Sequence, residues 1–320
     1  MAPATLTVPA PAKLNLFLHV TGRRADGYHL LESLMVLLDF GDTLTLAARD
    51  DDRIVLAKPL PGVAVETDLT WRAARLLQQT TGVARGVTIT LDKRIPMGAG
   101  MGGGSSDAAS VLLALNRLWS LGLTRDELMR LGLELGADVP FFVFGDNAHV
   151  SGIGEILRPV TLPRFHYLIE VPPVHVPTAA IFAAPQLKRD TPVSGADAFA
   201  PDFGHNDLQP VAVALHPAIG TAIAALDQAD FAGAGRVACT AARMSGSGSS
   251  VFRIVDRGFP GSSSAWAAAG DRQRGDWKFL QRLHYRSPKA HDESGKPVAG
   301  PVFIHARGLV RHPLREFALK

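Results

Sequence analysis

The sequence predicts a two-domain protein of mixed α and β structure, and three observations lead to that prediction. The 320 residues exceed the length at which a single hydrophobic core usually keeps growing. Hydrophobic residues make up 47% of the chain and charged residues 20%, a composition that allows packed cores. Stretches that alternate apolar and polar residues, as half-buried strands do, are interspersed with stretches of helical spacing. The turn region before a strand-like segment at 165–171 sets the boundary, which gives domains 1–162 and 163–320.

In the first domain, period-two alternation predicts strands at 5–8, 13–20, 42–48 and 86–91. The apolar residues that follow Asp68 are three to four positions apart, which predicts a helix ending near Thr81-Gly82.

Two further helices are predicted after a loop rich in glycine. The first carries apolar residues at helical spacing over 108–119, and its N-cap comes from the polar residues just before it, Ser105, Ser106 or Asp107. The second spans 124–135, where Thr124 and Glu127 form the capping-box pattern and Gly136 is the stop signal.

Short strands and turns are predicted over 141–160, at the end of the first domain. The second domain begins with a strand that ends at Pro172-Pro173. Its other predicted elements are a helix near 178–183, a long helix from Leu208 to about Asp227, and strands at 250–255 and 302–307.

The segment 258–301 differs in kind, because it mixes serine, glycine, proline and arginine with little periodicity, and it is predicted to be a surface insertion. Residues 1–256 carry a net charge of −4 and residues 257–320 carry a net charge of +7. The excess of basic residues that gives the whole chain its +3 is therefore confined to the C-terminal segment, and nucleic acid is not an expected partner. The insertion does mix aromatic with basic side chains, as single-stranded nucleic acid would require, although a solvated loop is the favoured interpretation. These residues are Arg272, Arg274, Lys278, Arg282, Arg286 and Lys289 with Trp266, Trp277 and Tyr285.

A single cysteine, Cys239, excludes an intrachain disulfide and a cysteine-based zinc cluster, and it favours a reducing compartment. The N-terminus has no basic region before its apolar residues and does not resemble a secretory signal. The longest uncharged stretch, Leu208 to Leu226, is interrupted by Pro210 and Pro217, which argues against a lipid-facing helix. We therefore expect a cytoplasmic protein without a membrane partner.

The segment from Pro96 to Ser106 places five glycines in seven positions directly before a predicted helix. Glycine lets the backbone approach an anion closely, and the amides and dipole of a helix N-terminus favour phosphate. A Walker A loop is excluded because no lysine follows these glycines. The loop matches the glycine pattern of a dinucleotide-binding site, but its surroundings do not. Four residues separate it from the preceding strand, and the acidic residue expected about 20 positions later, Glu127, lies in a helix. A glycine loop that merely turns remains an alternative.

Several motifs, in the same order, resemble those of the GHMP kinases. The loop matches the outline Pro-x-x-x-Gly-[Leu/Met]-Gly-[Ser/Gly]-Ser-x-Ala-Ala. The other matching segments are Pro11–Phe17, Asp26–His29, Leu135–Pro140, Asn206–Leu208 and Met244–Gly248. The resemblance covers about residues 6–256 and 302–319, and within the superfamily it is closest to an ATP-dependent kinase family of the non-mevalonate isoprenoid pathway.

This resemblance implies the two-domain GHMP kinase fold, with a mixed sheet and helices in the N-terminal domain and a ferredoxin-like α+β domain at the C-terminus. It also implies ATP-dependent phosphorylation of the C2 hydroxyl of a small polyol that carries cytidine diphosphate, with Mg²⁺ as the metal. Lys13 and Asp138 match the catalytic positions. Asp138 would take the hydroxyl proton, and Lys13 would hold the hydroxyl and offset charge on the phosphate. No protein ligand of Mg²⁺ is assigned by the sequence.

The resemblance further implies where the two ligands bind. The cytosine ring would lie between Tyr28 and Phe182, His29 would contact its polar edge, and Asn15 and Thr178 would contact the polyol or phosphates. ATP would be bound by Pro96, Met97, Gly98, Ala99, Gly100, Met101, Gly102, Gly103, Gly104, Ser105 and Ser106.

Two other functions remain open from the sequence. One is a GHMP kinase acting on another small alcohol, and the other is a non-catalytic nucleotide-binding or RNA-binding regulator on the same scaffold. The protein is expected to be a monomer or a homodimer.

Overall fold

A computed structural model describes residues 3–195, 200–228, 240–255 and 301–319, together with the backbone of three short strands between 285 and 299. The described residues form two sheets with helices packed against them. Apart from these strand backbones and Pro301, the predicted insertion at 258–301 lies outside the described residues, as do all of its basic and aromatic side chains.

The first sheet has six strands, ordered β3-β4-β2-β5-β6, with β1 antiparallel to β2. Strands β3 and β4 are parallel and the other pairs are antiparallel. The two strands predicted at 5–8 and 13–20 are one continuous strand, because β-bulges near Pro11 and Asn15 absorb the shifts in register. The strands are β1 (Thr5–Arg23), β2 (His29–Arg49), β3 (Ile54–Leu56), β4 (Gly86–Asp92), β5 (Ala148–Ser151) and β6 (Ile156–Pro159).

Four helices bury their apolar faces against this sheet in a common core. Asp68 caps the first by accepting from Thr70 N, and the predicted capping box of Thr124 and Glu127 is confirmed on the third. The prediction of strands and turns from residue 141 was wrong at its start, where a short helix runs to Phe144. The helices are α1 (Leu69–Thr81), α2 (Gly103–Leu118), α3 (Arg125–Leu135) and α4 (Val139–Phe144).

The second sheet is antiparallel with the order β10-β13-β7-β9-β8. If the four main strands β7, β8, β9 and β13 are numbered 1 to 4 along the chain, their order across the sheet is 4-1-3-2. This is the strand order of the predicted ferredoxin-like domain. Strands β11 and β12 pair with each other. The elements are β7 (His166–Val171), α5 (Thr178–Ala183), α6 (Gln209–Leu215), α7 (Pro217–Gln228), β8 (Arg243–Met244), β9 (Val251–Val255), β10 (Tyr285–Arg286), β11 (Lys289–His291), β12 (Pro297–Ala299) and β13 (Val302–Arg307).

The long helix predicted from Leu208 to Asp227 is two helices. They meet at His216, because Pro217 has no amide hydrogen with which to continue α6 and instead begins α7. In the part of the chain that the structure describes, no single helix is long and apolar enough to cross a membrane; α6 and α7 meet those criteria only as a pair bent by 117°.

The last described residues return to the first domain. Leu309 N donates to Leu37 O at 2.8 Å, His312 N donates to Gly145 O at 2.7 Å, and Leu314 is buried in the core of the first sheet. Residues 308–319 therefore pack on the N-terminal domain, although the predicted division at 162/163 assigns them to the second.

Candidate active site

A cleft of about 1150 Å³ lies between the two sheets, and every predicted site residue except Ser106 lines it. Its walls come from β1, the turn between β1 and β2, the glycine loop, the residue before α4, the start of α5 and the loop between β8 and β9. Residues that are far apart in the sequence therefore meet in one place.

Lys13 and Asp138 form an ion pair inside this cleft. Lys13 follows the bulge of β1 near Pro11, is 3% exposed, and places its Nζ 3.4 Å from Oδ2 of Asp138. Asp138 directly precedes α4, but its side chain caps no amide and is 33% exposed. The carboxylate therefore faces both a fixed positive charge and the open cleft, which suits a group that accepts a proton from a bound hydroxyl.

Asn15 is buried next to Lys13 and orients it. The Oδ1 atom of Asn15 accepts a short hydrogen bond from Lys13 Nζ, and Nδ2 donates to Ser33 Oγ at 2.8 Å. Ser33 Oγ in turn donates to Phe17 O at 2.6 Å, which fixes which end of the Asn15 amide is the acceptor. The structure thus gives Asn15 a contact with the predicted catalytic lysine, in addition to its predicted contact with substrate.

The glycine loop is packed directly against backbone. Lys13 N donates to Met101 O and Ser250 N donates to Ala99 O, both at 3.0 Å. Gly100 has a φ of +71°, and a Cβ there would lie 2.7 Å from the carbonyl oxygens of Ser245 and Gly248. Only glycine fits this position, because a side chain meets both backbone strain and immovable neighbours.

Helix α2 begins at Gly103, earlier than predicted, with left-handed Gly102 as its N-cap in place of a serine or aspartate. The first intrahelical bond is donated by Ser106 N, so the amides of Gly103, Gly104 and Ser105 are left for an anion. Ser106 itself is fully buried, and its hydroxyl donates to Pro11 O at 2.6 Å. Of the two loop serines, only Ser105 lines the cleft.

Lys93 lies behind the loop and makes ion pairs with two buried carboxylates, Asp42 and Asp107, the second at 3.0 Å. Burial lowers the pKa of Lys93, but the attraction of Asp107 and Asp42 outweighs it and the pKa rises. Burial and the nearby Asp42 charge raise the pKa of Asp107. A Cβ on Gly103 would lie 2.7 Å from Lys93 Nζ, so the ammonium supports the start of α2. No motif in the sequence indicated a role for Lys93.

Aromatic and imidazole side chains form the opposite wall. The rings of His29 and Phe182 pack with centroids 4.9 Å apart, and Tyr28 is 61% exposed. Arg189 Nε donates to His29 Nε2 at 3.0 Å. Burial, followed by the positive charges of Arg189 and Arg23, lowers the pKa of His29. Arg189 lies in a polar stretch without a motif, so nothing in the sequence indicated this contact.

Thr178 and Ser247 join the two walls through a hydrogen bond between their hydroxyls, 2.8 Å apart. Thr178 is the first residue of α5, and Ser247 belongs to the glycine-containing loop between β8 and β9. Ser247 belongs to the matching segment Met244–Gly248, and it lines the cleft.

Family models match both halves of the chain, "GHMP kinases N terminal domain" over residues 68–146 and "GHMP kinases C terminal" over residues 194–259. A solved mevalonate kinase superposes with a TM-score of 0.58 over 95% of this chain and 99% of its own, at 14% identity, which shows a shared fold. Fold, cleft and family models together define a small-molecule kinase of the GHMP superfamily, a class that uses ATP.

Closer relatives narrow this class. A 4-diphosphocytidyl-2-C-methyl-D-erythritol kinase from Thiobacillus denitrificans is 56% identical over 97% of both chains, and one from Nitrosospira multiformis is 47% identical over 98% of this chain and 95% of its own. A crystal structure of 4-(cytidine 5'-diphospho)-2C-methyl-D-erythritol kinase has a TM-score of 0.65 and 31% identity, and covers 93% of this chain and 99% of its own. The chain belongs to the 4-diphosphocytidyl-2-C-methyl-D-erythritol kinase family, as the sequence motifs had indicated.

Proposed function

We propose that the protein transfers the γ-phosphoryl group of ATP to the C2 hydroxyl of 4-diphosphocytidyl-2-C-methyl-D-erythritol, in the non-mevalonate route to isoprenoid precursors. The observation that carries the proposal is the ion pair of Lys13 and Asp138, at 3.4 Å, between the glycine loop and the wall of His29 and Phe182. Relatives of 47–56% identity that bear this enzyme name support the choice of substrate.

The reaction forms a bond between the C2 oxygen and the γ-phosphorus, while the bond from that phosphorus to the β,γ-bridging oxygen breaks. Asp138 accepts the proton of the hydroxyl as the new bond forms. Lys13 binds the hydroxyl oxygen and Asp138, and its charge offsets the charge that develops on the phosphoryl oxygens. Asn15 keeps the ammonium directed by accepting its hydrogen bond.

The phosphates of ATP are bound by the start of α2. The amides of Gly103, Gly104 and Ser105 precede the first intrahelical hydrogen bond, and the helix dipole adds positive potential there. The close fit of Gly100 against the loop between β8 and β9 fixes these amides before ATP binds. Binding to a preformed loop limits the entropy lost on ordering it.

Mg²⁺ bound with ATP would supply Lewis-acid chemistry and would neutralise phosphate charge, in addition to the charge that Lys13 supplies. Within the described ranges no three His, Cys, Asp or Glu side chains cluster as a metal site. Mg²⁺ in phosphate sites needs only one or two protein oxygens, because phosphates and water supply the others. The Ser105 hydroxyl, which lines the cleft, fits that requirement.

The substrate's cytosine would stack on the wall formed by Tyr28 and Phe182, where base stacking contributes about 1–3 kcal/mol. His29 supplies a polar contact to the edge of the base. The two walls of one cleft thus divide the work, with charge at the phosphates and aromatic surface at the base.

An ADP-release assay with a panel of alcohols tests the proposal. We expect turnover with 4-diphosphocytidyl-2-C-methyl-D-erythritol and none with homoserine or mevalonate. Turnover on one of the latter alone would keep the kinase class and reject the substrate. No turnover on any alcohol, together with salt-dependent RNA binding, would favour a regulator instead.

The single cysteine also leads us to propose a cytoplasmic enzyme. Its state as a monomer or a homodimer can be measured by sedimentation.

A further inference from the structure

Arg189 connects the end of α5 to the imidazole of His29. Its guanidinium donates from Nε to His29 Nε2 at 3.0 Å and makes three more hydrogen bonds to backbone carbonyl oxygens. Those carbonyls belong to Phe182, Ala184 and Leu187, at 3.0, 2.8 and 2.9 Å. The arginine therefore contacts both sides of the proposed base site. It binds the side chain of His29 on one side and backbone carbonyls at the end of α5 on the other.

The direction of the bond to His29 follows from the chemistry of the two groups. A guanidinium has five N–H donors, no acceptor, and keeps its proton at physiological pH. The Nε2 atom of His29 must therefore be the acceptor, and the proton of the neutral imidazole must be on Nδ1. Burial and the charges of Arg189 and Arg23 lower the pKa of His29, which favours the same neutral form.

The other nitrogen of the ring is left for a ligand. His29 lines the cleft, and within the described residues no group pairs with its Nδ1. The ring packs on Phe182 at a tilt of 31°. As a hydrogen-bonding partner, His29 therefore offers one group, an N–H donor.

We infer that Arg189 is a positioning residue that keeps His29 as an Nδ1–H donor and thereby makes the cleft select cytosine over uracil. The inference deepens the proposed function, which brings a cytidine nucleotide to this wall. Cytosine N3 is an unprotonated acceptor, whereas uracil carries an N3–H donor. A fixed donor pairs with the first and opposes the second, and an unpaired buried polar group is costly.

The segment that carries Arg189 is held in place without any ligand. Thr191 N donates to Val20 O at 3.1 Å. Ser194 donates twice to Glu32 Oε2, from N and from Oγ, each at 2.8 Å, and Gly195 N donates to Oε1 at 3.1 Å. Glu32 and His29 lie on the same strand, β2, so one strand carries both the imidazole and the carboxylate that anchors the arginine segment.

The protonated nitrogen of His29 can be identified in the wild-type protein by ¹⁵N spectra of the histidine rings. The signal is assigned by its loss in His29→Gln. We expect the neutral Nδ1–H form at pH 7. A proton on Nε2, or a doubly protonated ring at that pH, would overturn the inference without any arginine variant.

Titrations with CDP and UDP measure the selectivity itself, because neither requires turnover. We expect the wild type to prefer CDP by about tenfold or more, and Arg189→Met, which has no donor, to lose about tenfold of that preference. Arg189→Lys keeps a charged donor and should recover part of it. Lys188→Met, at an exposed neighbour, is the matched control and should behave as the wild type.

The His29 spectrum of Arg189→Met should shift toward the Nε2–H form, and its pKa should rise. Equal weakening of CDP and UDP with an unchanged His29 spectrum would mean that Arg189 only supports the end of α5, and would overturn the inference. Failure of the proposed function is distinguishable, because it appears as absence of ADP release, whereas the spectrum and the CDP preference are measured without it.

Discussion

The two walls of the cleft are built in different ways. The phosphate side comprises Lys13, Asp138 and the loops 96–106 and 245–250; the base side comprises Tyr28, His29, α5 and Arg189. On the phosphate side the backbone packs directly on the backbone, through bonds such as Lys13 N to Met101 O and through glycines that leave no room for a Cβ. On the base side, side chains make the contacts, and one of them, Tyr28, is 61% exposed.

This difference matches what each wall has to recognise. Phosphate is the same group in every nucleotide, and preorganised amides bind it best when they cannot move. Bases differ from one another at their edges, and side chains can be exchanged without rebuilding the fold. We therefore expect substitutions on the phosphate side to affect kcat or stability, and those on the base side to affect KM.

Asp138→Asn should have the largest effect, because the amide keeps the shape of the side chain but cannot accept a proton. We expect kcat to fall by about 10²–10⁴-fold. The melting temperature should hardly change, since the side chain is 33% exposed and caps no helix. Asp126→Asn, at an exposed position in α3, is the control and should retain full activity in the ADP-release assay. A rate near that of the wild type for Asp138→Asn would remove this residue as the proton acceptor.

Gly100→Ala should come next, through stability. A Cβ at φ +71° is strained and would press on Ser245 O and Gly248 O, so we expect a loss of about 2–4 kcal/mol in the free energy of unfolding. Gly104→Ala is the matched control within the same loop. It lies in the first turn of α2, and its Cβ would meet only the movable end of Leu69, so the change should stay within about 1 kcal/mol. Urea unfolding measures both, and equal losses would contradict a phosphate side fixed by backbone packing.

The sequence predicted the phosphate side better than the base side, because the residues of the former lie in contiguous motifs. The ion pair of Lys13 and Asp138 and the glycine loop were all expected at one site. The exact start of α2 was not, since its N-cap is a left-handed glycine and Ser106 turns inward to Pro11, 95 residues away in sequence. Local patterns contain no information about such a partner.

Elements without a distinctive period or a local stop signal were also missed. Residues 139–144 are apolar throughout, and periodicity cannot tell a short buried helix from a strand. Arg189 contacts His29, which is 160 positions away in the sequence. Residues 308–319 pack on the N-terminal domain, although they follow the C-terminal domain in the sequence. These contacts depend on the fold as a whole, so only the structure could place them.

Tyr28→Ala tests the base side where it is most exposed. Loss of one stacking face should raise KM for the cytidyl substrate by about tenfold and leave kcat unchanged. Stability should also be unchanged, because the ring is 61% exposed. Tyr28→Phe keeps the stacking face and should behave as the wild type. A fall in kcat with unchanged KM would mean that the ring acts on the reacting atoms, contrary to the division between the two walls.

Thr178→Val should have the smallest effect and is the most direct test of whether the two sides are independent. The variant keeps the shape of the side chain but removes the hydrogen bond from α5 to Ser247, which joins the two walls. Because Thr178 is exposed, we expect KM to rise less than about fivefold with kcat unchanged. Ser247→Ala removes the same bond from the phosphate side, so the double variant should be no worse than either single one. If instead kcat falls steeply in both single variants, the hydroxyl pair transmits the position of the base to the reacting phosphate, and the two walls work as one unit.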